Sequence, residues 1–523
     1  MNNFDKDIVE RGVGSMKKIK IFFILFVITI MFTFAVKADI AEAATGTKIS
    51  TVEDLKKMEE NPSGTYYLAN DINVPENLQL FVNTAFTGTL DGNGHELKGY
   101  KYIADGWCNA GLFGKAKNAV FKNLDMTDVK IKVQSLKGAW IGALVVQSWD
   151  CTFDNIEVSG TITAKGRNGF LVGGIACYAT GESIFKNCTS DLEISIKSKN
   201  FDSSSANRDI EAAGIAVAST SAKFSNCQNK GDIIVEGKPG GAATIAAVGI
   251  AMNADELISC KNTGYITVKV KGGESFVILT AAGLAGEGHH VKSCFNTGRI
   301  KATATKGGVS EVKVGGLIGE GSRKEKEAAE VVTQCYNTGK VTFSGDSKSG
   351  GTLVGGIAGM CTEIKLSYNK GTVYALAKTG MPSIGGLCGE VYEINNCYNT
   401  GTVQLEGSGL AGGLAARADI VDTLATSNYN TGSVTAKGKE TYAGAIFATY
   451  EGADVVRKCN IYNNYYTNNI KAYATSYITW HEFVAKATKV SKITSANCSK
   501  LSSEHWTYSA KLGRMILKAN PEQ

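Results

Sequence analysis

The chain has 523 residues, 60 of them glycine and 5 proline, with 43% hydrophobic and 20% charged residues. These figures exclude collagen, which needs abundant proline at a three-residue period, and intrinsic disorder, which needs low hydrophobicity. A net charge of +6 is too dilute over this length to point to nucleic acid.

Residues 1–15 look unlike the start of an exported protein. Glu10-Arg11-Gly12 is what a purine-rich ribosome-binding site would encode, so Met16 is the expected initiator. Residues 16–43 read as a signal peptide: Lys17, Lys18 and Lys20, an apolar run from Ile21 to Val36, then Ala41-Glu42-Ala43 as a cleavage site. The run is shorter than the ~20 apolar residues of a membrane span. The expected product is secreted, either free or associated with the cell surface, with no stable membrane insertion. Removing residues 1–43 takes away six Lys/Arg and five Asp/Glu, leaving 49 positive and 44 negative residues, net +5. Residues 44–85 read as an N-terminal cap. There Ser50-Thr51-Val52-Glu53 is expected to form a capping box that opens a short helix through Glu60.

From 86 to 473 the chain repeats. A glycine-rich string recurs as GGIAC at Gly173, GGLIG at Gly315, GGIAG at Gly355, GGLCG at Gly385 and GGLAA at Gly412. A second recurs as CQNKGDI from Cys227, CKNTGYI from Cys260, CFNTGRI from Cys294, CYNTGKV from Cys335, SYNKGTV from Ser367, CYNTGTV from Cys397 and NYNTGSV from Asn428, at intervals of 30 to 41 residues. The strings keep their length while the gaps vary, as in a solenoid with loop insertions. After each NxG, apolar and polar residues alternate, as in Val341 and Phe343 against Lys340 and Thr342, which predicts strands. The glycine and asparagine of NxG are expected to supply left-handed turns. Residues 474–523 read as a C-terminal cap, with a helix over Thr479–Val490, a segment Trp506-Thr507-Tyr508 and a last strand near Met515–Leu517. The chain closes KANPEQ without a sortase-type signal, so release or non-covalent retention is expected.

The predicted fold is all-β: a right-handed single-stranded parallel β-helix, a pectin-lyase-like solenoid of about 12 coils with short helical caps. Stacked at about 4.8 Å, the coils would give a rod of roughly 55–60 Å. Asn229, Asn262, Asn296, Asn337, Asn369, Asn399 and Asn430 would form an amide ladder.

With these strings, the entry segments YYLANDINV from Tyr66 and FTGTLDGNGHEL from Phe86, and the tail WTYSAKLGRMILK from Trp506, the chain resembles the GLUG-motif family. That family, named for a Gly-Leu-x-Gly signature, is found in bacterial surface and adhesin-like proteins and in non-catalytic parts of immunoglobulin-A-specific metallopeptidases. The resemblance implies a secreted β-helix and leaves the ligand open, since fold and function separate.

Thirteen cysteines in an exported chain would ordinarily suggest disulfides. Cys227, Cys260, Cys294, Cys335 and Cys397 instead share a repeat position with Ser367 and Asn428, which predicts free structural thiols. No metal or cofactor is expected. No CxxC occurs, and His481-Glu482-Phe483-Val484-Ala485 lacks the second histidine of HExxH. His289 and His290 read as turn residues. Glu287 and Glu320 follow the GLAG and GLIG strings in neighbouring coils, with Glu390 in a later one and Met360 between. A pair about 5–8 Å apart is the basis of the alternative reading, a carbohydrate-active lyase or glycosidase.

The leading reading is a non-enzymatic binding scaffold. Lys269, Lys271, Arg299, Lys301 and Lys340 would point outward from three consecutive coils, with Tyr265 and Tyr374 flanking them. The stripe would attract an anionic glycan or cell-wall polymer, or another host or bacterial surface ligand. The column Phe295, Tyr336, Tyr368, Tyr398 and Tyr429 is expected to pack as a ladder, with sugar stacking as its other use.

Overall fold

A computed structural model describes residues 45–199, 209–218, 221–272, 276–322, 331–347, 351–420, 424–452, 460–476 and 487–522. Contacts separate Met1–Gly46 from Thr47–Gln523, and the repeats belong to the second unit. The signal segment and His481–Ala485 lie outside the described residues.

One coil shows how the sequence becomes a solenoid. Strand Val277–Ala282 ends at the corner Gly283-Leu284, and strand Ala285–Lys292 follows. Ser293 takes a left-handed φ of 55° and turns the chain into the two-residue strand Phe295–Asn296. After Thr297-Gly298 the chain runs out along Ile300–Val309 and returns through Glu311–Gly315 one coil on. Every strand of the coil pairs in parallel with its counterpart in the next: Leu279 with Val312, Glu287 with Glu320, Asn296 with Asn337, Ile300 with Val341. One sheet stacks eleven strands, from Cys108–Ala110 to Thr441–Gly444. The fold is therefore a parallel β-solenoid.

Alternation decides what fills the interior. Ile266, Val268, Ile300, Ala302, Val341 and Phe343 are fully buried and sit one above another. Each Ile, Val and Phe among them contributes about 1.5–3 kcal/mol on burial. A second interior column stacks Phe121, Phe153, Phe185 and Phe224, with ring centroids 4.5–5.3 Å apart.

The asparagine ladder is continuous. The Nδ2 of Asn229, Asn262, Asn296, Asn337, Asn369 and Asn399 each donates to the next asparagine's Oδ1 over 2.7–3.0 Å. Each amide also donates to the carbonyl of the glycine two residues on. These asparagines lie in strands, not in left-handed turns. The left-handed residue stands just before the cysteine position: Asn226, Ser259, Ser293, Gln334, Leu366, Asn396 and Ser427. The NxG glycine is needed for another reason. A Cβ on Gly339 would lie 2.0 Å from the carbonyl oxygen of Gly298 in the coil before.

The twelve described cysteines are free, and eleven are buried. Their repeat position is wired in one way. The Cys260 and Cys294 amides donate to the next coil's sulfur, Cys335 donates to Ser367 Oγ, and Cys397 donates to Asn428 Oδ1. The same side chains also donate: Cys294 to Leu257 O, Ser367 to Lys365 O and Asn428 to Ile394 O. Thiol, hydroxyl and amide are interchangeable there because each both donates and accepts. Burial pushes the Cys397 thiol up to about 12.

Both ends differ in detail from expectation. The first helix is Val52–Lys57, continued by a 3-10 turn Met58–Glu60. Its capping box sits one residue later than Ser50/Glu53: Thr51 Oγ1 accepts from Asp54 N, and Asp54 Oδ2 accepts from the amides of Thr51 and Ser50. At the other end, Ala487–Lys489, within the expected helix Thr479–Val490, is a strand paired with Asn464–Tyr466. Backbone pairing to the coil below replaces helical bonding there. Trp506–Ser509 and Arg514–Leu517 form an antiparallel hairpin.

That hairpin lies along the side of the stack. Tyr368, Tyr398 and Tyr429 are buried beneath Ile493, Leu501, Trp506, Met515 and Leu517. Tyr429 Oη donates to Met515 O, Trp506 Nε1 to Asn396 Oδ1, and Asn520 Nδ2 to Cys335 O. The Glu522 side chain, only 1% exposed, accepts from Tyr398 Oη and, through both carboxylate oxygens, from Arg514 Nη2, with Lys370 3.1 Å away.

Candidate functional site

The strands that follow the NxG position form an outer face whose columns are set by register. One column runs Lys165, Lys197, Glu236, Lys269, Thr303. Two residues further along each strand, Lys199 pairs with Lys238. Gly237 pairs with Val270, which sets Lys238 beside Lys271, and Lys271 pairs with Thr305. Alternation points all of these outward, because Ile196, Val235, Val268 and Val270 are the inward residues between them.

These residues line a groove of about 650 Å³ whose walls include Lys197, Lys199, Lys238, Lys269, Lys271 and Glu236. Glu236 bridges two of the lysines, 2.6 Å from Lys269 and 3.1 Å from Lys197. The hydrogen bond from Lys269, with that from Lys197, outweighs burial and holds its carboxyl below the usual range. Lys199, Lys238 and Lys271 are exposed, and no ion pair is described for them among the described residues. The groove therefore presents three uncompensated cations beside a bridged pair.

Of the five lysines and arginines expected to form one stripe, Lys269 and Lys271 line this groove. The other three lie outside its walls. Arg299 sits 5.8 Å from the Tyr265 ring centroid and Lys340 5.9 Å from that of Tyr374, each over the tyrosine of a neighbouring coil. Lys301 is exposed between Thr267 and Thr342. Sequence reasoning missed Lys197, Lys199 and Lys238. The usable signal was the alternation of Ile194, Ile196 and Val235 with them.

The acidic column takes another form. Glu287 and Glu320 are register partners, Glu320 pairs with Met360, and Glu390 follows. They lie in strands rather than surface turns. Burial would lower the Lys313 pKa, but hydrogen bonds to Glu320 and Glu311 outweigh it and raise it. Ser322 Oγ lies 3.4 Å from Glu287 Oε1. His289, expected in a turn, lies in strand Ala285–Lys292 with Nδ1 3.0 Å from Ser322 O, and His290 lies beside it in the same strand. The aromatic column is a ladder with centroids 4.8–5.1 Å apart; Phe295 and Tyr336 at its open end stay half-buried. No cluster of three or more potential metal ligands occurs among the described residues.

Fold and groove together define a β-solenoid with a cationic outer groove. Residues 32–160, about a quarter of the chain, match the family model described as the M26 IgA1-specific metallo-endopeptidase N-terminal region. Immunoglobulin-A-specific metallopeptidases are among the carriers of GLUG-type repeats that the sequence pointed to. Halomucin of Haloquadratum walsbyi is 33% identical over 90 residues, which are 17% of this chain and 1% of halomucin. A solved structure described as an immunoglobulin A1 protease from Bacteroides ovatus aligns over 91% of this chain and 93% of its own, at 12% identity and a TM-score of 0.22. The fold assignment rests on the strand register of the solenoid. No helix among the described residues is long and apolar enough to cross a membrane.

Proposed function

We propose that the protein is a secreted, non-enzymatic β-solenoid that binds an anionic surface polymer through the lysine groove. The observation that carries this reading is the set Lys199, Lys238 and Lys271, adjacent in register and without a bridging carboxylate among the described residues. Like charges held this close repel unless counter-ions or a ligand screen them. Secretion rests on the signal-like residues 16–43, and the likeness to a peptidase's N-terminal region fits a part that binds rather than cuts. In the carboxylate column, Lys313 holds Glu320 and Ser322 reaches Glu287, an arrangement suited to structural pairing.

The test is a glycan array at low salt with the mature chain and its Lys199→Gln/Lys238→Gln/Lys271→Gln variant. Acidic glycans should bind the native chain, and the signal should fall with salt and with the triple change. Undiminished binding by the triple variant refutes the groove. Turnover of an acidic polysaccharide that Glu287→Ala/Glu320→Ala abolishes would establish the enzymatic alternative instead.

A further inference from the structure

The groove has a direction, and the direction selects a kind of ligand. Resting on the proposed binding role, we infer that its ligand is a linear polysaccharide with one anionic group per sugar, lying along the solenoid axis. Lys199, Lys238 and Lys271 occupy one column in three successive coils. The next residue in that column is Thr305, so the charged run stops there. Coils of a parallel sheet advance about 4.8 Å. That advance is close to the rise of one sugar along an extended chain. An acidic polysaccharide on the axis whose charged groups turn toward the column thus offers one anionic group per lysine step. B-form DNA brings a phosphate every ~3.4 Å along each strand and falls out of step with the column.

Glu236 makes the column selective. It lies between Lys197 and Lys269 in the parallel column and ties both ammonium groups down. The second column thereby keeps a net charge of only +1 over Lys197, Glu236 and Lys269, while the first keeps all three of its positive charges. An anionic chain is drawn to one line of the groove, and a carboxylate on its other side meets Glu236. Thr305 at one end adds a hydroxyl group to the wall. The arrangement suits a narrow chain with charges on one edge better than a densely charged rod.

The experiment uses the full mature chain in calorimetric titrations at low salt against four probes of matched length. Oligogalacturonate carries a carboxylate on every sugar. Hyaluronate carries one on every second sugar. Chondroitin sulfate averages one anionic group per sugar with half of them sulfate. A single-stranded oligonucleotide of equal charge is the fourth. Oligogalacturonate and chondroitin sulfate should bind more tightly than hyaluronate and the oligonucleotide, and their ratio tells carboxylate from sulfate recognition. Affinity should climb up to about three charged sugars and then level off, because three lysines stand in the column. Lys238→Gln should weaken binding about five- to tenfold, while Lys340→Gln should leave it unchanged. Equal binding of hyaluronate and oligogalacturonate, or tightest binding of the oligonucleotide, overturns the inference and leaves the groove as a general anion site. Failure of all four probes to bind overturns both this inference and the groove reading. Circular dichroism of Lys238→Gln checks that a loss of binding is not a loss of fold.

Discussion

Replacing Asn337 by alanine should be among the most damaging single changes in the solenoid, although the residue touches no solvent. Asn337 Nδ2 donates to Gly339 O and to Asn369 Oδ1, both at 2.8 Å. Its Oδ1 accepts from Asn296 Nδ2 at 2.8 Å and from Gly339 N at 3.1 Å. After Asn337→Ala, Asn296 keeps its bond to Gly298 O, and Asn369 Oδ1 keeps that from Gly371 N. The side-chain partner of the Gly339 amide and carbonyl is gone, and Gly339 is buried. Two orphaned buried groups at about 1–3 kcal/mol each give a loss of about 4 kcal/mol. A solenoid opens locally, so global melting would dilute the effect. Native-state hydrogen exchange reads it directly: amides between Asn296 and Asn369 should exchange about 10³-fold faster. The exposed neighbour Thr338 makes only a backbone bond to Asn296 O, so Thr338→Ala is the control and should change exchange little. If Asn337→Ala exchanges like that control, the ladder contributes nothing and the reasoning is wrong.

The thiols and the hairpin set three further outcomes. Reducing agent should leave the β-rich circular dichroism and the melting curve unchanged, because the described cysteines are free thiols. Cys294→Ser should be tolerated better than Cys294→Val, since only serine can accept from Cys260 N and donate to Leu257 O; greater tolerance of valine would refute that wiring. The hairpin over the tyrosines should loosen in acid. Burial raises the Glu522 pKa, but hydrogen bonds from Arg514, Tyr398 and Lys370 outweigh it and leave it lowered. A depressed carboxylate stabilises fully above its unfolded pKa of about 4.3, and that contribution fades as pH falls through the folded value. Trp506 fluorescence should therefore report exposure below about pH 4 in the native chain. In Glu522→Gln the exposure should already be present at neutral pH, and an acid response unchanged by that substitution would rule out Glu522 as its source.

The coil was legible because its signals are local and repeated. Alternation after NxG placed Ile300 inside and Lys301 outside, and equal spacing of the asparagines anticipated their ladder. Interchange of Cys, Ser and Asn at one position identified the thiols as structural. The left-handed residue was misplaced because asparagine and glycine tolerate that conformation wherever they occur, so their presence at NxG did not show that it was used. The chain uses the position before the cysteine, where Gln334 and Leu366 carry no such signature. Lys197 and Lys199 escaped because their coil has Thr189-Ser190-Asp191 where later coils carry the NxG string. The hairpin along the tyrosines was illegible in principle. Asn520 meets Cys335 across 185 residues, and no periodicity records such a contact.

Interior and groove are linked through register. A one-residue slip between coils would turn Lys238 inward and Val235 outward. Hydrophobic burial opposes the slip, yet aliphatic columns of Ile, Val and Ala adapt to small displacements. The amide ladder does not adapt, since each Nδ2 must meet both one Oδ1 and one glycine carbonyl within 3.0 Å. Asn229 and Asn262 lie in the coils that carry Lys238 and Lys271, only a few residues upstream on the same chain path. The buried ladder thus fixes the coil-to-coil step from Lys238 to Lys271, while the coil of Lys199, with Ser190 at the ladder position, is held by strand register. Charge spacing over the Lys238–Lys271 step is therefore set by hydrogen bonding in the interior.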